Sequence, residues 1–106
     1  MVERLDMTFA ALADPTRRAM LSDLAAGERS VGELAAPFAM SFAGAAKHVG
    51  VLERAGLVER RRAGRQHLCR LKAGRLREAD AWLRQWEQFW TASLDRLAAV
   101  IAEDGQ

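Results

Sequence analysis

The chain has 106 residues, half of them hydrophobic, enough for one domain with one modest core. Its single cysteine, Cys69, excludes an internal disulfide framework and fits a reducing, cytoplasmic setting. Its N-terminus, Met1-Val2-Glu3-Arg4-Leu5-Asp6, is too polar for a signal peptide, and no apolar run approaches the roughly 18 residues of a membrane span.

Taken in chain order, the apolar positions Val2, Leu5, Phe9 and Leu12 recur at helical spacing over residues 2–13. Asp14-Pro15 follows as an N-cap with proline at the first helical position, where its missing N–H costs nothing. The second helix is expected from Thr16 to Ala26, with Met20, Leu21 and Leu24 inward and Gly27 as its stop. Ser30-Val31-Gly32-Glu33 has the S-x-x-E form of a capping box, opening a short helix to about Ala36 before Pro37.

Ser41 caps the next helix, Phe42 to Ala55, closed by Gly56 and with Ala45, Val49 and Leu52 as its buried side. Gly44 and Gly50 weaken this helix by about 1 kcal/mol each. Either packing or a close approach to another backbone explains Gly44. Two short arms, 57–62 and 66–71, then flank Ala63-Gly64-Arg65 as a β-hairpin. From Ala73 to about Glu103 the helical period returns as one long helix. Its stripe is Leu76, Leu83, Trp86, Trp90, Leu94, Leu97 and Ile101, widened by Trp82, Phe89 and Val100.

The expected fold is therefore mainly α with a small β-hairpin: a winged helix-turn-helix domain spanning 1–106, with four helices, a two-stranded wing and a long C-terminal helix. The helix-turn-helix occupies about 31–55 and the wing about 57–71, with candidate dimerisation helices at 2–13 and 73–103.

Charge singles out the same region. Between residues 47 and 77 stand Lys47, Arg54, Arg60, Arg61, Arg62, Arg65, Arg70, Lys72, Arg75 and Arg77, against only Glu53 and Glu59. The rest of the chain is net acidic, so one basic face is presented, as a polyanion-binding protein requires. A helix-turn-helix sets the N-terminal part of its second helix in the major groove, where a small, polar tip can reach base edges. Ser41, Phe42, Gly44, Ala45, Lys47, His48 and Arg54 are the candidates on that helix, and Arg61, Arg62, Arg65 and Gln66 those on the wing. Arginines at the wing suit phosphates or a narrow minor groove. Arg17 and Arg18, next to the Asp14 cap, suit an ion pair or a phosphate contact.

Three tryptophans and Phe89 on one helix exceed what so small a core covers. Some of these side chains are expected to pack on the first helix around Leu5, Phe9 and Leu12, and the rest on a second copy of the chain. The expected dimer interface comprises Leu5, Phe9, Leu12, Trp82, Trp86, Phe89, Trp90, Leu94 and Leu97. A homodimer on double-stranded operator DNA would place two recognition helices about 34 Å apart. A small-molecule effector, should one exist, would sit between these aromatics.

The runs Ala11-Leu-Ala-Asp-Pro-Thr-Arg-Arg, Met40-Ser-Phe-Ala-Gly-Ala-Ala-Lys-His-Val-Gly-Val-Leu-Glu-Arg-Ala-Gly-Leu-Val and Arg62-Ala-Gly-Arg resemble the ArsR-type winged helix-turn-helix repressors over residues 5–100. The terminal W-L-x-x-W-x-x-F-W stretch resembles a branch of that family without the metal-binding cysteines. The resemblance implies a dimeric repressor whose first and last helices form the interface. It also implies that the helix from Ser41 reads operator DNA. Ala46 departs from the serine frequent in the family before the basic-His pair, which removes one hydroxyl contact.

The segment matching the family's cysteine box, Glu33 to Phe38, has no cysteine, and the terminal helix has neither histidine nor cysteine. No metal site and no cofactor is expected. Cys69 reads as a small core hydrophobe. No nucleophile–base spacing or phosphate-cradling loop suggests an enzyme. A winged protein-interaction module that reads no DNA, and a DNA-binding regulator under redox control through Cys69, are the alternative readings.

Overall fold

The structure, a computed structural model, describes residues 2–104. The expectation for the side chain of Val2 and the outer ends of the 1–106 domain lie outside the described part. The elements are α1 (Val2–Leu12), α2 (Pro15–Ala25), β1 (Arg29–Ser30), α3 (Val31–Ala35), α4 (Phe42–Arg54), β2 (Val58–Ala63), β3 (Gln66–Leu71), α5 (Gly74–Arg84) and α6 (Glu87–Asp104).

Local chemistry sets the helix starts. Asp14 accepts from the backbone N–H of Arg17, Ser30 from that of Glu33 and Ser41 from that of Gly44, each satisfying an orphan donor of its first turn. At Ser30 the box closes reciprocally, since the Glu33 carboxylate accepts from the Ser30 N–H at 2.8 Å. This bond is the main reason the Glu33 carboxyl is held below the ordinary glutamate range. Gly56 leaves α4 with φ +77°, a conformation that suits glycine, and the Arg75 side chain covers it where a Cβ would sit.

The three-stranded antiparallel sheet has the order β1-β3-β2. In the hairpin Val58 pairs with Leu71 and Ala63 with Gln66, leaving Gly64-Arg65 as a two-residue turn. Gly64 alone takes a positive φ (+63°) there, which suits a type II′ turn. β1 is an addition to the expected two-stranded wing. It is two residues long and extended because Arg29 and Ser30 pair with Cys69 and Leu68.

The core lies where α2, α3 and α4 meet the sheet. Met20, Leu24, Val31, Leu34, Ala45, Val49, Leu52, Leu57, Val58 and Cys69 are buried there, with Ala11 from α1. α5 contributes Ala79 as its one buried residue among those described, and α6 none.

Where one long helix is expected from Ala73 to about Glu103, the chain forms two, α5 and α6, with a break at Gln85-Trp86. Gln85 and Trp86 donate to Trp82 and Leu83 three residues back, tightening one turn between α5 and α6. Neither glycine nor proline stands at the bend, and the apolar stripe passes through it. Periodicity therefore gives no sign of it.

Candidate nucleic-acid interface

α3, the turn and α4 form the helix-turn-helix. Ser41, Phe42 and Lys47 are exposed on α4, while Gly44 and His48 are half-buried. A Cβ built on Gly44 would meet only the Ser41 hydroxyl at 3.4 Å and the Met40 Cβ at 3.9 Å. Packing within the protein therefore does not demand glycine at this position. Ala45 requires a correction: it is wholly buried in the core, because it shares the inward stripe of α4 with Val49 and Leu52, and it has no surface to offer a ligand. Arg54 is exposed at the far end of the helix, and its guanidinium lies over Gly50.

The hairpin stands beside the start of α4. A groove lined by Ser30, Val31, Gly32, Phe42, Arg65, Gln66 and His67 separates the wing tip from the first turns of α3 and α4. Phe42, 59 % exposed, and the exposed Arg65 and Gln66 thus flank one hollow. This brings together the helix and wing candidates, which are separated by more than a dozen residues in sequence.

The wing's arginines are not equivalent. Arg61 binds Glu28 through two nitrogens, at 2.9 and 3.2 Å. Arg60 pairs with Glu53 at 2.9 Å, and Arg70 grips Glu59, whose carboxyl it holds below the usual range. Arg62 donates to the carbonyl of Gly64 at the tip. Arg62 and Arg65 are exposed, and neither has a carboxylate partner among the described residues. Of the three wing arginines singled out from the sequence, two therefore offer uncompensated charge and Arg61 shares its own with Glu28.

Arg17 is mostly buried. It donates from Nε to the carbonyl of Ala11 (2.7 Å) and from Nη2 to that of Ala10 (3.1 Å), at the end of α1. Its Nη1 lies 3.3 Å from His48 Nδ1 and 3.9 Å from the Asp14 carboxylate. The expected ion pair is thus the weakest of its contacts. Arg18 donates to the carbonyl of Leu12.

The aromatic stripe is open to solvent. Trp82, Leu83, Trp86, Phe89, Trp90, Leu94, Leu97, Val100 and Ile101 are between 39 and 64 % exposed. Leu5 and Phe9 of α1 are half-buried, Phe9 standing edge-on to Trp82 at 5.8 Å. Met7, also exposed on α1, was not apparent from helical spacing. Leu12 is half-buried and packs against the protomer's own core. The concavity beside the α5–α6 bend is open and lined by Asp80, Leu83, Arg84, Glu87, Trp90, Thr91 and Leu94. Only one of the aromatic rings expected around an effector lines it.

Cys69 is buried beneath the sheet, and burial pushes its thiol above the ordinary range. A thiol so placed resists ionisation, which disfavours a redox role. Among the described residues no group of His, Cys, Asp or Glu is placed to hold a metal ion, and no helix is long and apolar enough to cross a membrane.

A short helix and turn presenting a second helix, with a basic hairpin beside it, define a winged helix-turn-helix protein. A helix-turn-helix domain model matches residues 12–61. The HTH-type transcriptional regulator Rv2034 of Mycobacterium tuberculosis (strain ATCC 25618 / H37Rv) is 37 % identical over 100 residues, covering 94 % of this chain and 91 % of the relative. The crystal structure of the ArsR family transcriptional regulator RHA00566 is 37 % identical, with a TM-score of 0.80 over 86 % of this chain and 94 % of that one. The homodimeric winged helix-turn-helix domain Mb0332 of Mycobacterium bovis, a possible ArsR-family regulator, is 27 % identical, with a TM-score of 0.64 over 90 % and 85 % of the two chains. The chain belongs to the ArsR family of helix-turn-helix transcriptional regulators.

Proposed function

We propose that the protein binds a specific double-stranded operator as a homodimer and represses transcription there, with α4 in the major groove and the 60–66 wing on flanking DNA. The observation that carries this reading is the shared hollow between the exposed start of α4 and the wing tip, with Arg62 and Arg65 uncompensated beside it. Base edges would be met by Ser41, Phe42, Gly44, Lys47 and His48, and phosphates by Lys47, Arg54, Arg62 and Arg65. Gln66 lines the same hollow and would meet the sugar-phosphate edge. Arg61 joins them by exchanging Glu28 for a phosphate. A dimer seated across promoter DNA represses by occupying the site polymerase needs.

The dimer reading is supported by the exposed stripe on α5 and α6 and by the shape of the protomer. Its radius of gyration is 18.9 Å, where about 13 Å is ordinary for this length, and its longest dimension is 68 Å. A helix so extended and so apolar gains most from a second copy of itself, as the homodimeric state of Mb0332 also suggests. A gel-shift series on the protein's own upstream region tests the whole reading. Retention of one fragment against excess unrelated DNA is expected, and equal competition by unrelated DNA would overturn it. A reporter fused to that region should rise when the protein is removed; a fall would mean activation.

A further inference from the structure

The contact between Arg17 and His48 fixes more than a position. A guanidinium has donors only, so a hydrogen bond from Arg17 Nη1 to His48 Nδ1 requires Nδ1 to be the bare, accepting nitrogen. The ring's single proton then sits on Nε2, at the opposite side of the imidazole. Arg17 cannot easily yield, because Nε and Nη2 are tied to the carbonyls of Ala11 and Ala10 and its backbone N–H to the Asp14 cap. α1 and the start of α2 thus hold a cation against a ring on the second turn of α4.

We propose that Arg17 is a positioning residue for base recognition: it locks His48 as an Nε2–H donor, so that His48 reads an acceptor on a base edge and rejects a donor. The proposal rests on the operator-binding reading above. In the major groove guanine (N7 and O6) and thymine (O4) show acceptors and no donor, whereas adenine and cytosine carry amino donors. A His48 free to exchange tautomers could meet either kind of edge. With Nδ1 occupied by Arg17 it can only donate, so guanine or thymine is preferred opposite it over adenine or cytosine. Because Arg17 hangs from the end of α1, the donor state of α4 also depends on the seating of α1.

The test has two arms. Nitrogen-15 NMR of the His48 ring, assigned with His67→Gln and recorded in the free protein at mildly alkaline pH, reads the tautomer without DNA. Nε2 should carry the proton in the native protein, and Arg17→Met should give a mixture of tautomers. A proton on Nδ1 in the native protein would overturn the proposal whatever the DNA does.

The second arm is selection of bound sequences from a random duplex library by the native protein, Arg17→Met, Arg17→Lys and His48→Ala. Preference for guanine or thymine over adenine or cytosine at one position per half-site should fall about tenfold in all three variants, with the other positions unchanged. Arg17→Lys keeps the charge without the fork, so it reads the geometry if Arg17→Met folds poorly. A loss spread evenly over all sequences would show that Arg17 is merely structural, or that His48 meets a phosphate, and would overturn the proposal. No enrichment by the native protein, with the tautomer as stated, would instead overturn the operator reading on which it rests.

Discussion

Arg65 and Arg61 stand four positions apart on one hairpin and should behave differently when removed. Arg62→Ala or Arg65→Ala takes away an uncompensated charge. Each should weaken operator binding and lower the slope of log affinity against log salt by about 0.9, measured by anisotropy titrations at several salt concentrations. Arg61→Ala should change the slope less, because Glu28 already neutralises it in the free protein. Glu28→Gln should strengthen binding up to about threefold, as expected for releasing an exposed pair; weaker binding by Glu28→Gln would contradict the pairing. The Arg61–Glu28 pair shows why sequence alone overcounts a basic wing. The two residues are 33 positions apart, and only the pairing of β1 and β2 on either side of β3 brings them together. Ala45 errs the opposite way, being small enough for a recognition tip yet set by the 3.6-residue period on the inward face.

Elements that begin with a side-chain cap were legible from sequence because the chemistry is contained within four residues. Asp14, Ser30 and Ser41 mark the three starts that the structure shows. β1 was not legible, since a two-residue strand exists only through a partner about forty positions away. The bend at 85–86 was hidden by an unbroken apolar stripe. Two predictions belong at this scale. Gly50→Ala should raise stability by up to about 1 kcal/mol in denaturant melts, because a Cβ there meets only the mobile end of Arg54 at 3.3 Å. A loss of stability would mean that the Arg54 seat matters to the helix. The capping box should also tie α3 to pH. With the folded-state pKa of Glu33 depressed, its contribution is present above the unfolded value near 4.5 and is lost as the pH falls through and below it. Glu33→Gln should therefore shallow the decline of stability on the acid side in urea melts at stepped pH, and an unchanged acid limb would contradict this.

At the scale of the molecule, the chain up to the wing forms a closed core, and α5 and α6 after it form a long apolar arm. The sequence showed the arm's chemistry through its tryptophans. It also indicated packing on the first helix, but not which residues meet it, as Trp82 does at Phe9, and which remain open, as Trp90, Leu94 and Leu97 do. If a second copy covers that face, Trp90→Glu combined with Leu94→Glu should give monomers by analytical ultracentrifugation. The native melting temperature should rise with protein concentration, as it must for linked association. The variant should keep its core but lose operator affinity by orders of magnitude, since each half-site would then bind alone. Operator binding by a symmetric dimer can be read directly by hydroxyl-radical footprinting on the protein's upstream region. It predicts two protected patches related by a dyad, with centres one or two turns of about 10.5 base pairs apart, each losing its flank in Arg65→Ala. A single patch without symmetry, or protection that ignores sequence, would contradict it.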